Sequence, residues 1–133
     1  MDIIFLIEDD QDLRELYGAF LAKELGCQIM MFQDGLEAIT YLDKIKDTQL
    51  NTFTQFNLTA VVSDYSMPKK SGGDVWKYIQ DNFPEVAFMI FTSKQFSEMP
   101  EFNEKFLAPN RCFIRKPITP NQLSNELKKL LAA

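Results

Sequence analysis

Two short apolar runs end in acids. Ile3-Ile4-Phe5-Leu6-Ile7 is followed at once by Glu8, Asp9 and Asp10, and Ala60-Val61-Val62-Ser63 by Asp64. Two more end in other useful groups: Ala87 to Phe91 is followed by Thr92, and Arg111 to Arg115 by Lys116 and Pro117. Gathered carboxylates repel one another and stay ionised together only when a cation compensates. Hard oxygen donors with few protein contacts suit Mg2+, which keeps several waters and bridges to phosphate; Mn2+ is the alternative ion. Lys116 adds a point charge for a phosphate oxygen, and Thr92 a hydroxyl donor. A carboxylate can also attack phosphorus to give an aspartyl phosphate. The metal and Lys116 would then offset charge on the transferring group.

Composition removes the competing chemistries. The chain has 133 residues, a formal charge of −5 and no His. Neither a Ser-His-Asp nor a Cys-His nucleophile can be built. With only Cys27 and Cys112 there is no Cys-rich zinc site; both read as buried free thiols. No clustered basic face suggests nucleic acid. There is no signal-peptide pattern at Met1-Asp2-Ile3-Ile4, and no apolar run approaches membrane-spanning length. The expectation is one cytoplasmic domain over residues 1–133, with no membrane or direct nucleic-acid contact.

The elements that must hold these groups follow from periodicity. Ile3–Ile7 is too short for a helix and reads as a strand buried on both faces. Leu13, Leu16, Tyr17, Phe20, Leu21 and Leu25 repeat at helical spacing up to Gly26, a C-terminal stop. Cys27–Phe32 reads as a second strand, and Asp34-Gly35 as a turn. Leu36, Ile39, Leu42 and Ile45 give a second helical stripe. Residues 47–58 are polar and weakly periodic, a surface extension of that helix or a loop. Ala60–Ser63, Ala87–Phe91 and Arg111–Arg115 are the remaining strands. Ser71-Gly72-Gly73-Asp74 opens a helix, and Thr119-Pro120 caps and starts the last one. Five β-then-α units predict an α/β fold: a flavodoxin-like, doubly wound, five-stranded parallel sheet of order 2-1-3-4-5, with helices on both faces. In that order strands 1, 3, 4 and 5 are neighbours. Their carboxyl ends therefore bring the acids, the hydroxyl and the ammonium to one edge.

Glu8-Asp9, Asp64-Tyr65-Ser66-Met67-Pro68, Gly72, Thr92 and Lys116-Pro117 together resemble the receiver domain of two-component response regulators. The resemblance covers essentially the whole chain. It implies that Asp64 is the phosphoacceptor, charged by a histidine kinase, a histidine phosphotransfer protein or a small phosphodonor. It implies that Asp9 and Asp64 bind Mg2+ directly, that Glu8 acts mainly through water, and that the Ser66 backbone carbonyl is a further ligand. Thr92 and Lys116 would contact the phosphoryl group, and Lys116-Pro117 would be a cis peptide. Phe113 stands where the family has an aromatic residue that changes rotamer with the threonine. The expected role is a stand-alone signalling switch without an output domain, acting on an unidentified downstream protein and turning over no substrate of its own.

Three features depart from the family pattern. The stretch from Asp9 to Asp64 is about ten residues longer than a compact receiver needs. Ala108-Pro109-Asn110 replaces the usual Gly-Ala pair before the last strand. Pro100 falls where the helix after the fourth strand should run; it can be a first-turn residue of a late-starting helix but cannot sit mid-helix without a kink. Met99, Phe102 and Phe106 read as core. Two alternative functions fit the acids less well. An Asp-nucleophile phosphatase would want a second acid close to Asp64, where Ser66 stands. A receiver-like module that works without phosphate would not need the full acid set.

Overall fold

The computed structural model describes residues 2–51, 57–102, 106 and 109–132, with the side chains of 48–51 outside that description. Five parallel strands form one sheet in the order β2-β1-β3-β4-β5. They are β1 (Asp2–Ile7), β2 (Gln28–Phe32), β3 (Asn57–Asp64), β4 (Ala87–Thr92) and β5 (Arg111–Arg115). The helices are α1 (Gln11–Leu25), α2 (Gly35–Asn51), α3 (Gly72–Asn82) and α4 (Pro120–Ala132). No described helix is long and apolar enough to cross a membrane.

Strand alternation divides the core in two. Ile3, Phe5 and Ile7 face a cluster with Leu42, Val75, Trp76, Ile79, Phe88 and Met99. Ile4 and Leu6 face Tyr17, Leu21, Val62, Met89, Phe91, Leu123 and Leu127. This is why β1 reads as an unbroken apolar run: both of its faces are covered. Helix ends follow local chemistry. Asp10 caps α1, its carboxylate accepting the Leu13 N–H at 3.0 Å, and Gly26 ends the helix at φ 62°. Ser71 and Asp74 form a reciprocal capping box on α3. Thr119 accepts the Gln122 N–H at 3.1 Å at the start of α4.

The expectation of five β-then-α units needs one correction. Among the described residues, the connection from β4 to β5 holds a 3-10 turn at Phe96–Glu98 and no α-helix there. Pro100 supplies the reason. Its ring disfavours helical dihedrals at the preceding residue, and Met99 sits at φ −120°, ψ 84°. Met99, Phe102 and Phe106 are nonetheless buried, as expected of core residues. The extension at 47–58 divides likewise: α2 runs on to Asn51, β3 begins at Asn57, and residues 52–56 lie outside the described residues. Ala108 of the Ala108-Pro109-Asn110 departure also lies outside them. The Asp34 side chain of the expected turn accepts the Glu37 N–H at 2.8 Å in the first turn of α2. Cys27 and Cys112 are free thiols, each half-buried.

Gly72 matters for positioning. Its N–H donates to the Tyr65 carbonyl at 2.9 Å. A Cβ there would meet the Asp64 carbonyl oxygen at 2.4 Å and the Tyr65 Cα at 2.9 Å. These are backbone atoms and cannot swing aside. Gly72→Ala should therefore cost about 2 kcal/mol and lower the melting temperature by roughly 5–10 °C. Thermal denaturation of the two proteins checks this; equal melting temperatures would show that the β3–α3 loop yields freely.

Candidate phosphoacceptor and metal site

Parallel register sets the site. Ile7 pairs with Ser63, so Glu8 follows beside Asp64, the last residue of β3. Asp64 pairs with Phe91, which puts Thr92 one step beyond it on β4, and Thr92 pairs with Arg115, just before Lys116. Four chemically different side chains thus arrive at one sheet edge because four strands end there.

Carboxylate oxygens of Glu8, Asp9 and Asp64 lie within 4.8 Å of one another. Glu8 is 1% exposed and Asp64 7%, while Asp9 is open to solvent. The Lys116 ammonium bridges the two buried acids, 3.1 Å from Glu8 Oε1 and 3.1 Å from Asp64 Oδ2. It also lies 5.0 Å from the centre of the Phe91 ring. The other Asp64 oxygen, Oδ1, accepts the Tyr65 N–H at 2.7 Å. Glu8 Oε2 accepts the Asp10 N–H at 3.2 Å, and the Arg14 guanidinium donates to the Glu8 carbonyl at 2.7 Å. Three carboxylates that a hard cation could use are gathered here, and one of them, Asp9, is open to solvent. The donor set is all oxygen, which fits Mg2+.

The remaining residues named from sequence take their places around this cluster. Thr92 is buried, and its hydroxyl oxygen accepts the Lys94 N–H at 3.2 Å. Its carbonyl accepts the Lys116 N–H at 2.8 Å, which ties β4 to the lysine. Ser66 is exposed, two residues beyond Asp64. The Lys116-Pro117 peptide is cis. Phe113 is half-buried on β5, its ring edge-on to Phe96 at 5.7 Å. Asp10 caps α1 and stands apart from the cluster of three. The sequence reading passed over Tyr65 and Arg14. Tyr65 was visible only as the neighbour of Asp64, whose backbone must point somewhere. Arg14 reaches back across the first turn of α1, a contact that spacing alone could suggest.

Electrostatics follow from burial. Loss of water pushes the Glu8 carboxyl up to about 7; the Asp10 N–H opposes this, and the Asp64 charge adds to it. Burial works against the Lys116 ammonium, but Asp64 and Glu8 outweigh it and hold its pKa above the ordinary value. Glu8 is thus harder to ionise in the folded chain than in the unfolded one. Its contribution to stability is fully present below its ordinary value of 4.5 and is lost as pH rises through about 7. In EDTA, the protein should lose on the order of 2–3 kcal/mol between pH 5 and pH 8 from this group. Glu8→Gln should flatten that slope in urea denaturation. An unchanged slope would assign the pH dependence elsewhere.

Comparisons with known proteins bear on the family and the fold. The sequence profile of the response regulator receiver domain matches residues 4–128. The two-component response regulator ARR7 of Arabidopsis thaliana is 27% identical over 100 residues, 74% of this chain. The match takes in 48% of that protein, so the chain spans about half the length of the curated relative it matches. A CheY-like response regulator receiver domain protein from Methanospirillum hungatei JF-1 superposes with a TM-score of 0.75 at 20% identity, over 99% of this chain and 94% of that one. The chemotaxis protein CheY4 of Vibrio cholerae superposes at 0.73 and 19% identity, over 98% of each chain. At such identities the superpositions speak for the fold.

Proposed function

The chain belongs to the response regulator receiver family of two-component systems, and from that premise we propose that Asp64 accepts a phosphoryl group and that the modified domain switches protein contacts. Receiver domains of this family interact with histidine kinases or phosphotransfer proteins and bind Mg2+ at an acidic pocket. One observation carries the reading. A buried carboxylate at a strand end, Asp64, has an ammonium 3.1 Å from one oxygen and two further acids within 4.8 Å.

Asp64 supplies the nucleophilic oxygen. That oxygen bonds to phosphorus as the donor bond breaks: P–N for a phosphohistidine, P–O for acetyl phosphate. The leaving group keeps the electron pair of the broken bond. Lys116 holds the carboxylate in place beforehand and then lies beside the negative oxygens of the transferred group. Thr92 presents its hydroxyl from the neighbouring strand end, where it can donate to a phosphoryl oxygen. Glu8, Asp9, Asp64 and the Ser66 carbonyl are the groups that would hold Mg2+. The ion, when bound, supplies positive charge against the phosphoryl oxygens.

One feature argues against turnover of a separate substrate by an Asp-nucleophile phosphatase mechanism. The position two after Asp64 is Ser66, so no acid stands there to protonate a leaving group. We read the chain as a phosphoacceptor, not as an enzyme acting on other molecules. The test is incubation with acetyl phosphate and Mg2+, followed by intact mass. One phosphoryl group per chain is expected with Mg2+ and none in EDTA. No adduct in either condition contradicts the proposal.

A further inference from the structure

The connection between β4 and β5 is fastened to the residue next to Asp64. The Tyr65 hydroxyl lies 2.7 Å from Glu101 Oε1 and 2.9 Å from Oε2. The Tyr65 ring also packs on Phe102 at 5.9 Å, and Phe102 lies 5.3 Å from Trp76. Gly73, in the first turn of α3, leaves room for the same carboxylate. A Cβ there would stand 2.4 Å from Glu101 Oε2. The Glu101 carboxylate therefore lies between the backbone of α3 and the Tyr65 phenol. Elsewhere in the described part of this connection, order rests on a few local bonds. Glu98 N–H donates to Gln95, Met99 N–H to Phe96 and Phe102 N–H to Met99, at 2.9–3.1 Å.

We propose that Tyr65 and Glu101 form a releasable clasp, by which the phosphorylation state of Asp64 sets how tightly the β4–β5 connection is held. The inference rests on the reading of Asp64 as phosphoacceptor. Tyr65 is fixed at two points: its N–H donates to Asp64 Oδ1 at 2.7 Å and its hydroxyl to Glu101. The first bond is charge-assisted while Asp64 is a carboxylate. Once either oxygen carries phosphorus, the carboxyl group loses its own charge and becomes a weaker acceptor. The Tyr65 backbone is then free to shift. Glu101 belongs to a different connection, so a shift of the Tyr65 backbone lengthens and weakens the phenol–carboxylate bond. The dianionic phosphoryl group added next door works in the same direction against a second acid.

Linkage makes the effect reciprocal. If phosphorylation opens the clasp, removing the clasp favours phosphorylation. Tyr65→Phe keeps the ring against Phe102 and deletes only the hydroxyl. It should raise the extent of Asp64 labelling at a sub-saturating ratio of acetyl phosphate to acetate by about tenfold, the equilibrium effect expected for one hydrogen bond to a charged group. Glu101→Gln, which keeps a weaker acceptor, should fall between the two. Amide exchange gives a separate readout. In the unmodified protein, Glu98, Met99 and Phe102 should be protected, and phosphorylation should speed their exchange. In Tyr65→Phe they should exchange fast beforehand, with little further change on phosphorylation. Intact mass, taken in parallel, reports whether Asp64 is modified at all. No labelling of the wild type would remove the underlying reading. Normal labelling to equal extents in wild type and Tyr65→Phe at that sub-saturating ratio, or with the same phosphorylation-dependent exchange in both, would overturn the clasp alone. Slower exchange on phosphorylation would also overturn it.

Discussion

Replacing Lys116 with Met should be the most damaging single change at the site. The ammonium is the internal counter-charge for two buried carboxylates, at 3.1 Å from each. Its removal leaves Glu8 and Asp64 facing one another across a poorly solvated space. Breaking a buried pair by deleting one partner typically costs about 3–5 kcal/mol. Here a proton can limit the cost. Glu8 already titrates at about 7, and without Lys116 it should hold its proton more strongly still. The loss should therefore be about 3 kcal/mol at pH 8 and clearly smaller at pH 6. Urea denaturation in EDTA at the two pH values measures both. A second effect is chemical: without a cation beside Asp64 Oδ2, labelling by a phosphodonor should slow by about 100-fold. A variant equally destabilised at both pH values would mean that the lysine acts by packing along Phe91, not by charge.

The second large effect is expected from Mg2+ itself. Three carboxylates within 4.8 Å are a strained arrangement that a divalent cation relieves. An ion that binds only the folded chain stabilises it by mass action. At about one hundred times its dissociation constant, that amounts to about 2.7 kcal/mol. Asp9→Asn should erase most of the gain. Asp9 is exposed and receives no bridge from the lysine, and Asn keeps an oxygen for the hydrogen bond to Glu8, so the change removes a ligand and a charge repulsion without disturbing the core. In EDTA the variant should be as stable as the wild type or slightly more so. Thermal denaturation with and without Mg2+ separates these effects. An Asp9→Asn protein that keeps the full Mg2+ response would move the metal away from this cluster.

Most of the frame was legible because burial writes itself into short runs. β1 is apolar throughout since helices cover both faces, and the acid after Ile7 stands out against it. The same holds for Asp64 after Val61 and Val62, and for Thr92 after Phe91. The order of the strands then places their ends together without any further information. What sequence could not show was contact between distant polar side chains. Tyr65 and Glu101 are separated by 36 positions and follow no periodicity. Arg111 is similar. A charged residue opening a strand reads as solvent-facing, yet its guanidinium turns inward to the Val86 and Pro84 carbonyls and the Gln80 side chain. Burial lowers its pKa, and those neutral acceptors make the burial tolerable. The β4–β5 connection lies between these cases. Pro100 announced that a regular helix could not begin before it, and the apolar spacing of Met99, Phe102 and Phe106 marked them as core, but nothing local said that a 3-10 turn would form at Phe96–Glu98.

The switching proposed for this chain would draw on that connection. Its aromatic residues are packed inward, with Phe102 and Phe106 rings 4.5 Å apart and both near Trp76. Few backbone bonds hold its described part. A segment held, in its described residues, by side-chain packing and a short 3-10 turn is a suitable element for a small local change to release. Trp76, the single tryptophan, reports on that packing.

The most direct test is to locate the phosphoryl group. Wild-type protein treated with acetyl phosphate and Mg2+ should carry it on the carboxylate of Asp64, found by peptide mass mapping, and Asp64→Asn should take up none. A phosphoryl group found on another residue, or an equal adduct on Asp64→Asn, would contradict the assignment of Asp64 as the acceptor.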